Sequence, residues 1–141
     1  FFLFFFFFST KKQVDVDLVG VDITDAEATL LLYDPSRLSY RTLLEFFYRM
    51  HDPTTPNRQG PDVGTQYRSG IFYTTPEQEK IAREVTGKAN EQWWGGKITT
   101  EILPAGQWWD AEEYHQLYLS KNPGGYECPS HFVRDFPDLK D

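Results

Sequence analysis

Ala28-Thr29-Leu30-Leu31-Leu32-Tyr33, closed by Asp34-Pro35, is followed after Ser39 by Tyr40-Arg41-Thr42-Leu43-Leu44-Glu45-Phe46-Phe47-Tyr48-Arg49-Met50. The first run is short and nearly continuous in apolar residues, which predicts a buried strand ended by a turn. In the second, Tyr40, Leu43, Leu44 and Phe47 recur at helical spacing while Arg41, Glu45 and Arg49 fall on other faces. Ser39 is placed to cap this amphipathic helix, which should end near His51-Asp52-Pro53.

Outward from this unit the pattern repeats. Upstream, Val14, Val16 and Leu18 alternate with Asp15 and Asp17, as in a short half-buried strand. Downstream, Ser69 to Tyr73 reads as a strand, and Thr75-Pro76-Glu77-Gln78 opens a helix with a capping-box pattern and proline at its first position. Ile98 to Leu103 is a further expected strand. Asp110-Ala111-Glu112-Glu113 is expected to cap a last helix whose Tyr114, Leu117 and Tyr118 share a face. Asn122-Pro123-Gly124-Gly125 then releases an irregular tail. Alternating strands and helices predict an α+β fold: a two-layer α/β sandwich, ferredoxin-like, with helices packed on one mixed, mostly antiparallel sheet. Three parts are expected: a low-complexity segment at 1–13, a domain at 14–121, and a tail at 122–141 carrying Cys128.

At 141 residues, 40% hydrophobic and 25% charged, the chain suits one domain with a single core. A net charge of -7 argues against nucleic acid or an anionic membrane as partner, since both reward a basic surface. A monomer acting on a small molecule or a protein fits better. The single cysteine cannot form an internal disulfide, so the reading places the chain in the cytosol, with the mitochondrion as the alternative.

Phe1 to Phe8, interrupted only by Leu3, ends at Ser9-Thr10-Lys11-Lys12. It is too short for a membrane span, which takes about 20 residues. Its basic pair follows the apolar run, the reverse of a secretory signal. Phenylalanine, leucine and serine codons are pyrimidine-rich, so the run is read as translated intron sequence ahead of a 3′ splice site. The alternative is a genuine apolar tail, whose exposed aromatics would invite aggregation.

The segment from Asp52 to Arg68 is rich in Pro, Gly, Asn, Asp and Thr and has no apolar period. Long ordered loops of this kind usually carry function. Asp62 and Tyr67 stand five residues apart in it, near glycines that let backbone approach a ligand, and Glu27 sits at the mouth of the buried strand. A phenol and a protonatable carboxylate suit donation of hydrogen bonds to a polar oxygen. The plainer alternative is that Asp62 caps a turn and Tyr67 packs on the sheet, and composition alone favours it for each. Glu112 and His115 have the spacing of one half of a carboxylate-bridged metal site, but a second such pair is missing, and a polar face against the site wall is the better reading. Trp93-Trp94 and Trp108-Trp109 suit core or rim packing.

Longer strings carry a resemblance. Ala26-Glu27-Ala28 and Tyr33-Asp34-Pro35, His51-Asp52-Pro53-Thr54-Thr55, Gly60 to Ser69, Thr100-Glu101-Ile102 and Trp109 to Tyr118 are similar, in order and spacing, to the A-type methionine sulfoxide reductases. The resemblance runs from about Asp25 to about Phe132. It implies thiol-dependent reduction of methionine-S-sulfoxide, free or in proteins, with no metal and no organic cofactor, and thioredoxin as reductant. Glu27 matches the family's glutamate that protonates the sulfoxide oxygen, and Asp62 and Tyr67 match residues that position it. Cys128, after Gly124-Gly125-Tyr126-Glu127, resembles the resolving cysteine of fungal members. The family's nucleophile lies in Gly-Cys-Phe-Trp, which has no counterpart in residues 1 to 24, and Asp25 stands where many members have histidine. A defective enzyme is therefore expected of the chain as it stands, with a non-catalytic sulfoxide-binding remnant as the alternative.

Overall fold

A computed structural model describes residues 6–10, 17–22 and 26–141. In chain order these give β1 (Phe6–Thr10), β2 (Asp17–Asp22), β3 (Glu27–Tyr33), α1 (Tyr40–Met50), β4 (Arg58–Gln59), β5 (Asp62–Val63), a single 3-10 turn (Thr65–Tyr67), β6 (Gly70–Tyr73), α2 (Pro76–Gln92), β7 (Glu101–Pro104), β8 (Trp108–Asp110) and α3 (Tyr118–Lys121). None of the described helices is long and apolar enough to cross a membrane.

Both long helices start as the sequence directs. Ser39 accepts a hydrogen bond from the Thr42 amide, and Thr75 accepts one from Gln78, with Pro76 following at the first helical position. The Gln78 side chain completes the cap one residue further back than the motif implies, accepting from both the amide and the hydroxyl of Thr74. Leu44, Phe47 and Tyr48 of α1 are sealed against Ala82, Val85 and Ala89 of α2 and against Tyr33 and Ile71 of the sheet. Tyr48 Oη and Thr86 Oγ1, 2.7 Å apart, tie the two helices together inside this layer.

The main sheet has the order β7-β6-β1-β3-β2-β8. Its β1–β3, β1–β6 and β6–β7 ladders are parallel, and its β2–β3 and β2–β8 ladders antiparallel. The expected mixed sheet is found, but three of its five described ladders are parallel, so the mostly antiparallel, ferredoxin-like arrangement is corrected. The reason lies in the connections: α1 joins β3 to β6 and α2 joins β6 to β7, and a helical crossover returns the chain to the same end of the sheet. Alternation along the strands sends Leu31, Tyr33 and Ile71 to the helix layer, and Ala28, Leu30, Phe72 and Leu103 to the opposite face beside Tyr67 and Trp108.

Several boundaries differ from the sequence reading. The strand expected at Val14 and Val16 is described only from Asp17, those two residues lying outside the described ones. Phe6–Thr10 forms a strand between β3 and β6, within the segment set apart at 1–13. The helix expected from Asp110 is replaced by turns and the four-residue α3. Asp110 ends β8, paired with Gly20, and its carboxylate accepts from Trp108 Nε1 at 2.7 Å instead of capping a helix. Leu117 then adopts a left-handed φ of 52°, which keeps the turns before it from joining α3.

Candidate functional site

The registers Phe6↔Thr29 and Phe6↔Ile71 align the starts of β3 and β6, so Glu27 and the residues leading into Gly70 share one edge of the sheet. The loop from 52 to 68 is shaped there by its own polar side chains. Asp52 accepts from the amide and hydroxyl of Thr54, Thr55 Oγ1 donates to the Arg58 carbonyl, and the Gly64 amide bonds Asn57. β4 and β5 pair as a small hairpin, with Gly60 at a φ of 54° in its turn. Gly64 has a φ of 151°, a backbone conformation that favours glycine. Arg68 anchors the loop's exit through Glu101 at 3.0 Å and the Thr65 carbonyl at 2.8 Å.

This folding brings Glu27, Asp62 and Tyr67 into one electrostatic group. Glu27 is half-buried, and burial raises its pKa above the ordinary carboxylate value; Asp62 adds to the rise and His115 opposes it. The Tyr67 phenol is likewise raised, first by desolvation and then by the charges of Glu27 and Asp62. Its ring does pack on the sheet, against the cluster of Ala26, Ala28 and Phe72. The packing and functional readings of Tyr67 are thus compatible, because the ring fills the wall while the phenol faces the two carboxylates.

Two further residues join the group. His115, in the turns that replace the expected helix, lies near enough to Glu27 to oppose the rise in its pKa, while its Nε2 stands 3.9 Å from Glu112 Oε2, too far for a hydrogen bond. The sequence signal was the Glu-x-x-His spacing, already read as a polar face against the site wall. Tyr126 donates from its hydroxyl to Asp62 Oδ2 at 3.1 Å. No periodicity could place it, since it follows the glycines of an irregular tail. Among the described residues no group of three or more His, Cys, Asp or Glu side chains is arranged to hold a metal.

Cys128 lies against the same hairpin, beside the Tyr126 phenol that bonds Asp62. It is 3% exposed, its Sγ 3.5 Å from the Gln59 carbonyl and 3.3 Å from Ser130 Oγ. A Cβ on Gly60 would sit 3.2 Å from that sulfur. The tail does not swing free in this conformation. Arg134 donates to the carbonyls of Ser130 and Arg49, and Phe136 stacks on Trp93 with ring centroids 5.1 Å apart.

Fold and site together define a mixed α/β domain with a protonatable carboxylate, a second acid and phenols gathered beside a buried thiol. The sequence of residues 13–136 matches the family model described as peptide methionine sulfoxide reductase, and the chain belongs to that family. It is 57% identical over 110 residues to the probable peptide methionine sulfoxide reductase of Schizosaccharomyces pombe, covering 77% of this chain and 65% of that one. To the peptide methionine sulfoxide reductase of Saccharomyces cerevisiae it is 49% identical over 120 residues, covering 82% and 62%. Among solved structures, Mxr1 from Saccharomyces cerevisiae in reduced form superposes with a TM-score of 0.71 at 50% identity, covering 73% of this chain and 56% of that one. Methionine sulfoxide reductase A of Corynebacterium diphtheriae gives a TM-score of 0.62 at 39% identity, covering 77% and 56%. The chain thus spans somewhat less than two thirds of the length of the two curated relatives.

Proposed function

We propose that this chain binds methionine-S-sulfoxide, free or in proteins, and serves its thiol-dependent reduction to methionine. What supports the reading is the convergence of Glu27 with Asp62 and Tyr67, residues distant in sequence whose charges are felt by one another. A sulfoxide oxygen must gain a proton as its bond to sulfur breaks. A carboxyl group whose burial favours the protonated form is suited to give it, with the charge of Asp62 favouring that form further, while the Tyr67 phenol donates to the same oxygen.

In this reading a thiolate attacks the sulfoxide sulfur to form an S–S bond as the oxygen takes a proton; the oxygen then passes to the cysteine sulfur as that S–S bond breaks, so methionine leaves and the thiol is left as a sulfenic acid. The Cys128 thiol then displaces hydroxide as water, forming a disulfide that an external dithiol such as thioredoxin reduces by exchange. The sequence holds one cysteine, so the two-thiol cycle needs a nucleophile other than Cys128. Loss of a nucleophile costs on the order of 10⁶-fold where catalysis depends on one. Sulfoxide binding through Glu27, Asp62 and Tyr67 is the part of this cycle that we assign to these residues, in a monomer of the cytosol or mitochondrion.

Calorimetric titration with N-acetyl-methionine-S-sulfoxide methylamide tests this, followed by mass analysis of that ligand after incubation with a dithiol. Binding of the S epimer, weakened by Glu27→Gln or Asp62→Asn, supports the site. Loss of one oxygen from the ligand would support the enzyme over the remnant. Equal affinity for the sulfoxide and for methionine itself would sink the reading.

A further inference from the structure

Gln59 is 2% exposed, yet its side chain is fully engaged away from the residues assigned above. Its Nε2 donates to the Asp52 carbonyl at 2.9 Å, and its Oε1 accepts from the Asp52 amide at 3.0 Å. Those two bonds fix the amide's orientation, because an N–H can only donate and a carbonyl can only accept. Oε1 therefore meets Ser130 as an acceptor, and the Ser130 hydroxyl hydrogen is committed to Gln59. Only oxygen lone pairs of Ser130 remain to face the Cys128 sulfur at 3.3 Å, so this contact is made by the thiol donating its S–H, which it shares with the Gln59 carbonyl. On its other side the sulfur meets the main-chain carbonyl of the same Gln59. A turn closed by the His131 amide on the Cys128 carbonyl at 3.0 Å holds the segment in this shape.

We propose that Gln59 is a positioning residue for Cys128, acting through Ser130 to hold the thiol docked against the hairpin turn at Gly60. One residue thereby joins the base of the loop at Asp52, the hairpin and the thiol segment, so that the thiol's exposure is set by a polar bracket and not by tail length alone. The inference rests on the proposed function only for the purpose of the docked thiol, which there is the resolving one.

The test is the rate at which iodoacetamide alkylates Cys128 in the folded chain, followed by intact mass, with guanidinium-unfolded protein as the upper limit. Each variant's melting temperature is recorded alongside. The wild-type chain is expected to react far below that limit. Ser130→Ala leaves both Gln59–Asp52 bonds in place and should speed alkylation about fivefold, the worth of one net hydrogen bond, with little change in melting temperature. Ser130→Thr, which keeps the hydroxyl, should return it to near the wild-type rate. Gln59→Leu should be faster still, and Gln59→Leu/Ser130→Ala no faster than Gln59→Leu, because both act through one link. Unchanged alkylation in Ser130→Ala, or wild-type protein reacting at the unfolded limit, would overturn the proposal. If Gln59→Leu fails to fold, the two Ser130 variants carry the test alone. No sulfoxide enters the assay, so the bracket and the sulfoxide reading fail separately.

Discussion

The phenol of Tyr126 donates to Oδ2 of Asp62 at 3.1 Å, so a residue of the tail occupies an acid of the candidate site. Desolvation first, then this bond and the nearby negative charge, push the phenol up to about 12. Asp62→Asn keeps an oxygen acceptor but removes the charge. The Tyr126 ring, followed by NMR with labelled tyrosine, is then expected to begin ionising at lower pH, toward the ordinary value of about 10. An onset identical in both proteins would mean that the bond is not made in solution.

Glu27 should cost the fold stability at neutral pH. Its folded pKa is raised, chiefly by burial, so the native state holds the proton over a range in which the unfolded chain has released it. Stability from this group is present below the unfolded value and is lost as pH rises through the folded one. Glu27→Gln is therefore expected to be more stable than wild type at pH 7 and equal to it at pH 4, by urea denaturation. A penalty for the variant at both pH values would show that the carboxylate form, and not the acid, is what the fold favours.

His51 carries the opposite sign of pH dependence. Its Nδ1 faces the Phe47 carbonyl at 2.6 Å and so holds the hydrogen, while Nε2 accepts from Ser69 Oγ at 2.8 Å. Burial first, then the charges of His131 and Arg134, lower its pKa to about 3. The contribution is complete above the unfolded value near 6.5 and is lost as pH falls from there toward 3, on the order of 5 kcal/mol as an upper bound. Ring NMR should show His51 neutral at pH 5, with stability declining across that window. A midpoint near 6.5 for its ring would contradict the burial.

The elements legible in the sequence were those written in local chemistry. Ser39 and the Thr75-Pro76-Glu77-Gln78 string announce helix starts within four residues, and the spacing of Leu44 and Phe47 announces which face is buried. The sheet was misread because parallel and antiparallel strands look alike in isolation; the two helical crossovers held the answer and were given too little weight. Asp110 misled for a different reason. The same carboxylate that caps helices also accepts from an indole two residues away, and pairing with β2, distant in sequence, decided between the two roles. Glu27, Asp62 and Tyr67 were found through family resemblance, because nothing local distinguishes a site acid from a turn cap. His115 and Tyr126 meet their partners only across the fold, where no period of 2 or 3.6 reaches.

The same limit hid the tail's anchorage, which yields the last expectation. Phe136 stacks on Trp93 at an interplanar angle of 9° and meets Trp94 edge-on, with the Arg49 guanidinium 4.5 Å from the centre of the Trp93 ring. Trp93 Nε1 donates to the Pro137 carbonyl at 2.9 Å, so the indole grips the strap by both face and edge. Phe136→Ala removes the stack from a half-buried position and should cost about 1–2 kcal/mol, a lowering of the melting temperature by roughly 5 °C. Trp93 and Trp94 fluorescence would shift toward that of exposed indole. Between this anchor and the thiol lies Arg134, whose bonds to the Ser130 and Arg49 carbonyls give the thiol end of the tail a fastening to α1 that does not pass through the Phe136 ring. Phe136→Ala is therefore expected to open the chain after Phe132 to proteolysis while leaving Cys128 alkylation slower than in Ser130→Ala. If Phe136→Ala exposes the thiol as fully as Ser130→Ala does, the strap and the Gln59 bracket are one cooperative unit, and the tail docks or leaves as a whole.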